Sequence, residues 1–214
     1  MDKYYAQTRH EMIDFIPGDN TGRVLDVGCG QGMFATLVKE RFGSEVWGVE
    51  PVEDQARVAQ NALDKVLLGG LDDVYDDLPK NYFDCIVFND VLEHMVDPCV
   101  ALKNAKSLLD ERGVIVCSIP NVRYFPVLFE LLVRKDWRYR DSGVLDRTHL
   151  RFFTKKSIRL MFEGQGYVEK RISGINRLKS KKMLGLYYAA NIVTFGLLAD
   201  SKFQQYACVM VPKR

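Results

Sequence analysis

The chain has 214 residues, of which 47% are hydrophobic and 27% charged, and its net charge is +2. At roughly 150 residues per domain this is one full-size domain with insertions, and the composition excludes a disordered, collagen-like or disulfide-stapled chain. The near-neutral total hides two halves of opposite sign: residues 1–107 carry 10 Lys and Arg against 19 Asp and Glu, residues 108–214 carry 20 against 9. Basic side chains are densest over 123–159, with ten basic and four acidic residues, which suits a solvated face, a phosphate-bearing substrate or an anionic membrane. The five cysteines are odd in number and form no CxxC pair, so they read as reduced thiols, and with no secretory leader in evidence the expected location is cytoplasmic.

In chain order, residues 4–16 predict a short helix with Met12, Ile13 and Ile16 inward, broken by Pro17-Gly18. A strand over Arg23–Val27 runs into a glycine-rich turn, and Phe34, Leu37, Val38 and Phe42 follow at helical spacing up to Gly43. Val46–Val49 predicts a second strand, 53–65 a helix, and Val66–Leu68 a third strand. Phe83–Phe88 and Val114–Ile119 are nearly continuous apolar runs, as in strands buried on both sides, with a helix over 98–109 between them. This alternation predicts an α/β fold: a doubly wound, mostly parallel, seven-stranded Rossmann-like sheet with helices on both faces. Further helices are expected at 124–135 and 154–163, the latter capped by Thr154, and closing strands at Tyr167–Ile172 and Tyr206–Val211. One domain over 1–214 is expected, with a cofactor-binding half (1–120), an acceptor half (121–214) and a helical insertion near 177–205.

The segment Val24-Leu25-Asp26-Val27-Gly28-Cys29-Gly30-Gln31-Gly32 joins a strand to a helix through GxGxG, and Glu50 stands at the end of the next strand. Glycines let the backbone approach a ligand, helix amides favour an anionic group, and a carboxylate after the second strand accepts ribose hydroxyls. Dinucleotide enzymes use GxGxxG to seat a pyrophosphate. Here the third glycine comes one residue early and Asp26 would repel a pyrophosphate, a pattern better suited to a nucleoside bearing an amino acid, with NAD as the alternative.

With "VLDVGCGQG", Glu50, "FDCIVFNDVLEHMVDP" and "GVIVCSIPN" in this order, residues 4–172 resemble the class I S-adenosylmethionine-dependent methyltransferases. "LDRTHLRFFT" (145–154) is similar to a segment of bacterial members associated with glycan and O-antigen biosynthesis. The resemblance implies S-adenosylmethionine as cofactor and S-adenosylhomocysteine as product. It implies that Gly28, Cys29, Gly30 and Gly32 underlie the methionyl part, that Asp26 faces its amino group through water or loop amides, and that Glu50 takes the ribose hydroxyls. Leu71 and Asp72 fall at the adenine position, where Gly70 replaces a commonly acidic residue, and Asn89 falls near the sulfonium. Tyr4, Tyr5 and Arg9 fall where an N-terminal helix covers the cofactor, with Arg9 placed to bind its carboxylate.

Methyl transfer to a hydroxyl benefits from a base with a pKa near 7. His94, just past the fourth strand, and His149, in Asp146-Arg147-Thr148-His149, are the candidates, with Asp146 or a neighbour orienting the His149 ring; His10 reads as a surface residue. No metal site is expected, because His94, Cys99 and distant His149 form no recognised ligand spacing. Nucleic acid is not expected as a partner, since no RNA-module motif accompanies Arg147, Arg151, Phe152 and Phe153. The uncharged stretch Met183–Ala199, behind Arg177, Lys179, Lys181 and Lys182, reads as a buried or lid helix or as a peripheral contact at the inner membrane face. The leading acceptor is a hydroxyl of a sugar or lipid-linked, anionic glycan. A small phenolic or quinone-precursor acceptor comes second, and a non-catalytic scaffold subunit is the alternative from another class.

Overall fold

The computed structural model describes residues 8–18 and 21–213. The expectations for Tyr4 and Tyr5 lie outside these residues. Seven strands form one sheet in the order β3-β2-β1-β4-β5-β7-β6: β1 (Arg23–Val27), β2 (Glu45–Glu50), β3 (Lys65–Leu68), β4 (Phe83–Asn89), β5 (Leu109–Pro120), β6 (Tyr167–Arg177) and β7 (Phe203–Pro212). β1 to β5 are parallel, and β7 runs antiparallel between β5 and β6. The helices are α1 (Met33–Phe42), α2 (Glu53–Ala59), α3 (Pro98–Leu108), α4 (Phe125–Leu132), α5 (Lys155–Gly164) and α6 (Lys181–Val193).

The central strands are apolar throughout because successive side chains feed two separate cores. Ile86 and Phe88 of β4, Ile115 and Cys117 of β5, and Tyr206 and Cys208 of β7 enter the core on one face. Cys85, Val87, Val114, Val116, Ala207 and Val209 enter the core on the other. The doubly wound class expected from the alternation is therefore observed. Residues 121–214 supply β6 and β7 to the same sheet, so the two halves share one hydrogen-bonded framework.

Several element boundaries depart from expectation, among them that β5 begins at Leu109 and β7 at Phe203. The helix expected over 53–65 stops at Ala59, where the Asn61 amide donates to the carbonyls of Arg57 and Val58 and ends the turn. Before Asn20, the described residues form a 3-10 turn over His10–Phe15, which buries Met12 and Phe15. β6 continues to Arg177, because pairing along β7 persists to Phe203. Thr154 caps α5 as expected: its hydroxyl accepts the Ser157 N–H at 3.1 Å while Ser157 Oγ accepts the Thr154 N–H at 2.9 Å.

In the sheet register Val27 lies beside Val49 on one side and Phe88 on the other, so Gly28, Glu50 and Asn89 end up together at the carboxyl edge. The strand order reverses at β1, and the crevice outside such a point is where open α/β sheets bind ligands.

Candidate active site

A cavity of about 310 Å³ occupies this crevice, lined by Asp26, Gly28, Gly30, Glu50, Asn89 and His94 among others. A larger open cleft, about 1000 Å³, lies beside Asp84, Asp110 and Arg112 at the opposite strand ends, away from the glycine turn. Gly28 has φ +73°, and a Cβ there would meet Val91 Cγ2 at 2.6 Å, so no side chain fits under the turn. The Gly28 and Cys29 amides donate to the Val49 carbonyl at 2.8 and 3.2 Å, tying the turn to β2. Cys29 lines the cavity with its sulfur packed over Gly48, where a Cβ would come within 2.6 Å of it, and burial pushes its thiol well above the usual range. Gly32 stands at the N-cap of α1 with φ +78°, a left-handed conformation that favours glycine, and does not line the cavity.

Glu50, almost fully buried, accepts the Gly30 N–H at 2.8 Å on one oxygen and the Val52 N–H at 3.0 Å on the other. Each oxygen keeps a second lone-pair direction for a ribose hydroxyl. Asp26 is equally buried, and burial followed by the charge of Glu50 pushes its carboxyl up to about 8. The loop amide of Gly30 goes to Glu50 and not to Asp26. Both side-chain polar atoms of Asn89 are buried, line the same cavity and lack a hydrogen-bond partner. Buried amides are normally paired, so Asn89 marks a place for a polar ligand.

Three expectations about the cofactor residues change. Arg9, expected to bind the cofactor carboxylate, has a nearly buried side chain whose guanidinium is committed to Asp90 and Glu11 and reaches Gln205. It lines the cavity as part of an ion-pair network and is not free to take the cofactor carboxylate alone. Leu71 is buried in the hydrophobic core, because the Gly69-Gly70 turn directs it inward. Asp72 accepts the Asn104 amide at 2.9 Å on the surface, and neither it nor Leu71 lines the cavity.

A second cavity of about 160 Å³ adjoins the first, since Arg9 and Asp90 line both. His149 and Glu93 line the second, His94 and Thr148 the first. The His94 and His149 rings meet edge-on with centroids 4.8 Å apart. His94 Nδ1 lies 3.2 Å from the Thr148 carbonyl and His149 Nδ1 lies 3.1 Å from the Val144 carbonyl. A carbonyl only accepts, so both Nδ1 atoms carry the proton in the neutral rings, and each Nε2 is the basic nitrogen. Burial holds both imidazoles below the usual histidine range. Of Asp146 and its neighbours, the Val144 carbonyl is the group that orients the His149 ring, while Asp146 accepts the backbone N–H and hydroxyl of Thr148 at 2.8 and 2.6 Å.

Glu93 was missed in the sequence, although it adjoins His94. It is fully buried, neither of its oxygens has a hydrogen-bond partner, and Oε1 lies 3.9 Å from His149 Nε2. Burial pushes its carboxyl up to about 8. Its own carbonyl accepts the N–H groups of Leu150 and Arg151 at 2.9 and 3.0 Å, which fastens the His149 loop to the turn after β4. Gln205 was missed too: its amide donates to Asp90 at 2.7 Å across 115 residues of sequence. Where no metal site was expected, ligand atoms of Glu93, His94 and His149 all lie within 4.8 Å of one another. This donor set suits proton transfer and has the composition of a divalent-ion site; Cys99 has no part in it.

The methyltransferase-domain family model matches residues 1–168. The chain belongs to this family. Among curated proteins, the ubiquinone biosynthesis O-methyltransferase of Bradyrhizobium diazoefficiens is 34% identical over 102 residues, covering 46% of this chain and 40% of that protein. The human mitochondrial protein of that name is 30% identical over 104 residues, covering 42% of this chain and 28% of that one. This methyltransferase chain thus spans less than half the length of those relatives. Among solved structures, a SAM-dependent methyltransferase from Archaeoglobus fulgidus superposes with a TM-score of 0.72 at 21% identity, covering 98% of this chain and 96% of that one. A possible histamine N-methyltransferase from Thermotoga maritima superposes with a TM-score of 0.64 at 19% identity, covering 99% and 89%. These likenesses establish the S-adenosylmethionine-dependent methyltransferase fold.

The residues fit that cofactor. A cradle that excludes side chains, a buried carboxyl in need of a cation, a buried carboxylate with lone pairs to spare and an orphaned amide match a methionyl nucleoside group by group. Asp26 would hold the ammonium, Glu50 the ribose hydroxyls and Asn89 the methionyl chain.

Proposed function

We propose that this methyltransferase acts on a hydroxyl of a small phenolic acceptor of the quinone-precursor type. The observation that carries this reading is the pair of neutral imidazoles at the junction of the two cavities, with their basic Nε2 atoms set by backbone carbonyls. Curated relatives named for ubiquinone biosynthesis support the same choice and move the phenolic acceptor ahead of the sugar or lipid-linked glycan.

When bound, S-adenosylmethionine supplies an electrophilic methyl on a sulfonium, and the sulfur leaves as the neutral thioether of S-adenosylhomocysteine. The chain's own task is alignment, exclusion of water and removal of one proton. The acceptor ring occupies the smaller cavity, against Asp146, Gln205 and His149. As the acceptor oxygen bonds to the methyl, its proton passes to His149 Nε2, the nitrogen that lies 3.9 Å from the buried Glu93 carboxyl. His94 lines the cofactor side and packs edge-on against the base.

The test is incubation of the purified protein with S-adenosylmethionine and 3,4-dihydroxybenzoate, with mass-spectrometric detection of the methyl ether and S-adenosylhomocysteine. Methyl ether that His149→Ala abolishes supports the reading. Turnover of a nucleotide sugar but not of the catechol would restore the glycan acceptor. Cofactor binding without any turnover would favour a scaffold role. Activity lost to a chelator and restored by a divalent ion would reassign Glu93, His94 and His149 to metal binding.

A further inference from the structure

We infer that the outer face of α6 and the turn after it dock this protein on an anionic lipid surface. The inference does not depend on which acceptor is methylated.

A helix on a protein surface normally has one apolar face. α6 has two. At 100° per residue Met183, Leu184, Tyr187 and Ala190 fall on one side, where they form a small core with Phe125 of α4 and Leu178. The opposite arc carries Leu186, Tyr188, Ile192 and Val193, all exposed. Beyond the helix, Phe195 is 97% and Leu197 75% exposed. Phe195 has φ +52°, an uncommon conformation for a bulky residue, so the turn holds this side chain outward against its own backbone preference. Apolar residues exposed singly are ordinary, but a contiguous set marks a contact surface.

Charge identifies the partner. Residues 177–199 contain Arg177, Lys179, Lys181 and Lys182 and no Asp or Glu. Lys181 and Lys182 begin the same exposed arc whose far end is apolar. The first acidic residue after the turn, Asp200, is held by Arg123 at 3.0 Å. The neighbouring helix repeats the pattern: α4 packs on α6 through Phe125 and Tyr187, 5.7 Å between ring centroids, and ends in exposed Leu131, Leu132 and Val133 followed by Arg134 and Lys135. Arg134 is paired with Glu130 at 3.8 Å, but Lys179, Lys181 and Lys182 stand on a stretch without acidic residues, and apolar side chains beside such cations match the acyl boundary and phosphate headgroups of a bilayer leaflet. A second copy of residues 177–199 would bring no acidic group to Lys179, Lys181 and Lys182. Among the described residues no helix is long and apolar enough to cross a membrane, so contact is at the surface.

The experiment is co-sedimentation of the full chain with phosphatidylcholine vesicles that contain or lack phosphatidylglycerol. Binding to the anionic vesicles is expected to exceed binding to neutral ones by about tenfold and to weaken with added salt. Phe195→Ser combined with Leu197→Ser, and separately Lys181→Glu combined with Lys182→Glu, each lowers partitioning about tenfold. All four side chains are exposed, so circular dichroism and S-adenosylmethionine affinity stay as in the parent chain. Equal partitioning to both vesicle types, or partitioning untouched by the Phe195 and Leu197 changes, overturns the inference. So does failure to bind vesicles together with a dimer in sedimentation velocity that the same changes dissociate.

Discussion

The two cavities that meet at Arg9 and Asp90 are built by different means. The cofactor cavity is made of strand ends held in register by a parallel sheet, and its key groups lie on Gly28, Glu50 and Asn89, each at or just past the end of a strand. The smaller cavity, proposed above for the acceptor, is assembled from a loop after β5, a side chain on β7 and the turn after β4, joined by hydrogen bonds such as Gln205 to Asp90 and Leu150 to Glu93. In the first, backbone geometry does the positioning and almost any sequence that forms the sheet inherits it. In the second, individual side chains do, so the acceptor is free to diverge while the cofactor stays the same.

That contrast is open to direct test. The largest effect is expected from His149→Ala, which lowers kcat by roughly 100- to 1000-fold while leaving cofactor affinity within about twofold. Initial rates against pH sharpen it: the parent gains activity as an imidazole titrating below about 6.5 loses its proton, and the variant lacks that limb. A variant that also lost cofactor affinity would show the cavities to be one unit.

Next comes Glu50→Ala, which removes two charge-assisted bonds to backbone amides as well as the ribose acceptor. Calorimetric titration should show S-adenosylmethionine binding weakened about 100-fold, on the order of 3 kcal/mol. NAD binding that vanished in the variant, with no S-adenosylmethionine binding in the parent, would contradict the cofactor assignment.

A smaller effect belongs to Asp26. A ligand ammonium favours its ionised form, so a carboxyl titrating at about 8 releases a proton on binding at pH 7. Titrations in two buffers of different ionisation enthalpy should reveal that proton. Asp26→Asn should abolish it and weaken binding about tenfold.

The smallest concerns Glu93 and stability. Its carboxyl titrates at about 8 in the fold against an ordinary 4.5, so the folded chain holds a proton that the unfolded chain releases between those values. Stability therefore falls as pH rises from 4.5 toward 8. Glu93→Gln removes this dependence and should raise Tm at pH 8 by on the order of 5 °C, with no gain at pH 4. Equal melting shifts at both pH values would mean that Glu93 is ionised in the fold.

How much of the site was legible followed sequence distance. Asp26, Gly28, Cys29 and Gly30 are consecutive or nearly so, and a strand running into a glycine turn has few outcomes. His94 and His149 were recognisable singly, yet nothing in their spacing shows that their rings meet at 4.8 Å. Glu93 was in plain view beside His94, and only its complete burial without a partner distinguishes it from a surface acid. Arg9 was assigned to a ligand because Asp90 and Gln205, its partners, lie 81 and 196 residues away along the chain.

The sequence by itself determined the sheet, its two buried faces and the carboxyl-edge cofactor turn, because hydrophobic periodicity and glycine backbone freedom act over a few residues. Only the tertiary structure decided the rest. It put His149 beside a buried acid, turned Leu71 away from the cavity and Asp72 onto the surface, and left α6 with an exposed apolar face. Each of these depends on burial and on partners distant in the chain, and neither quantity exists until the chain has folded.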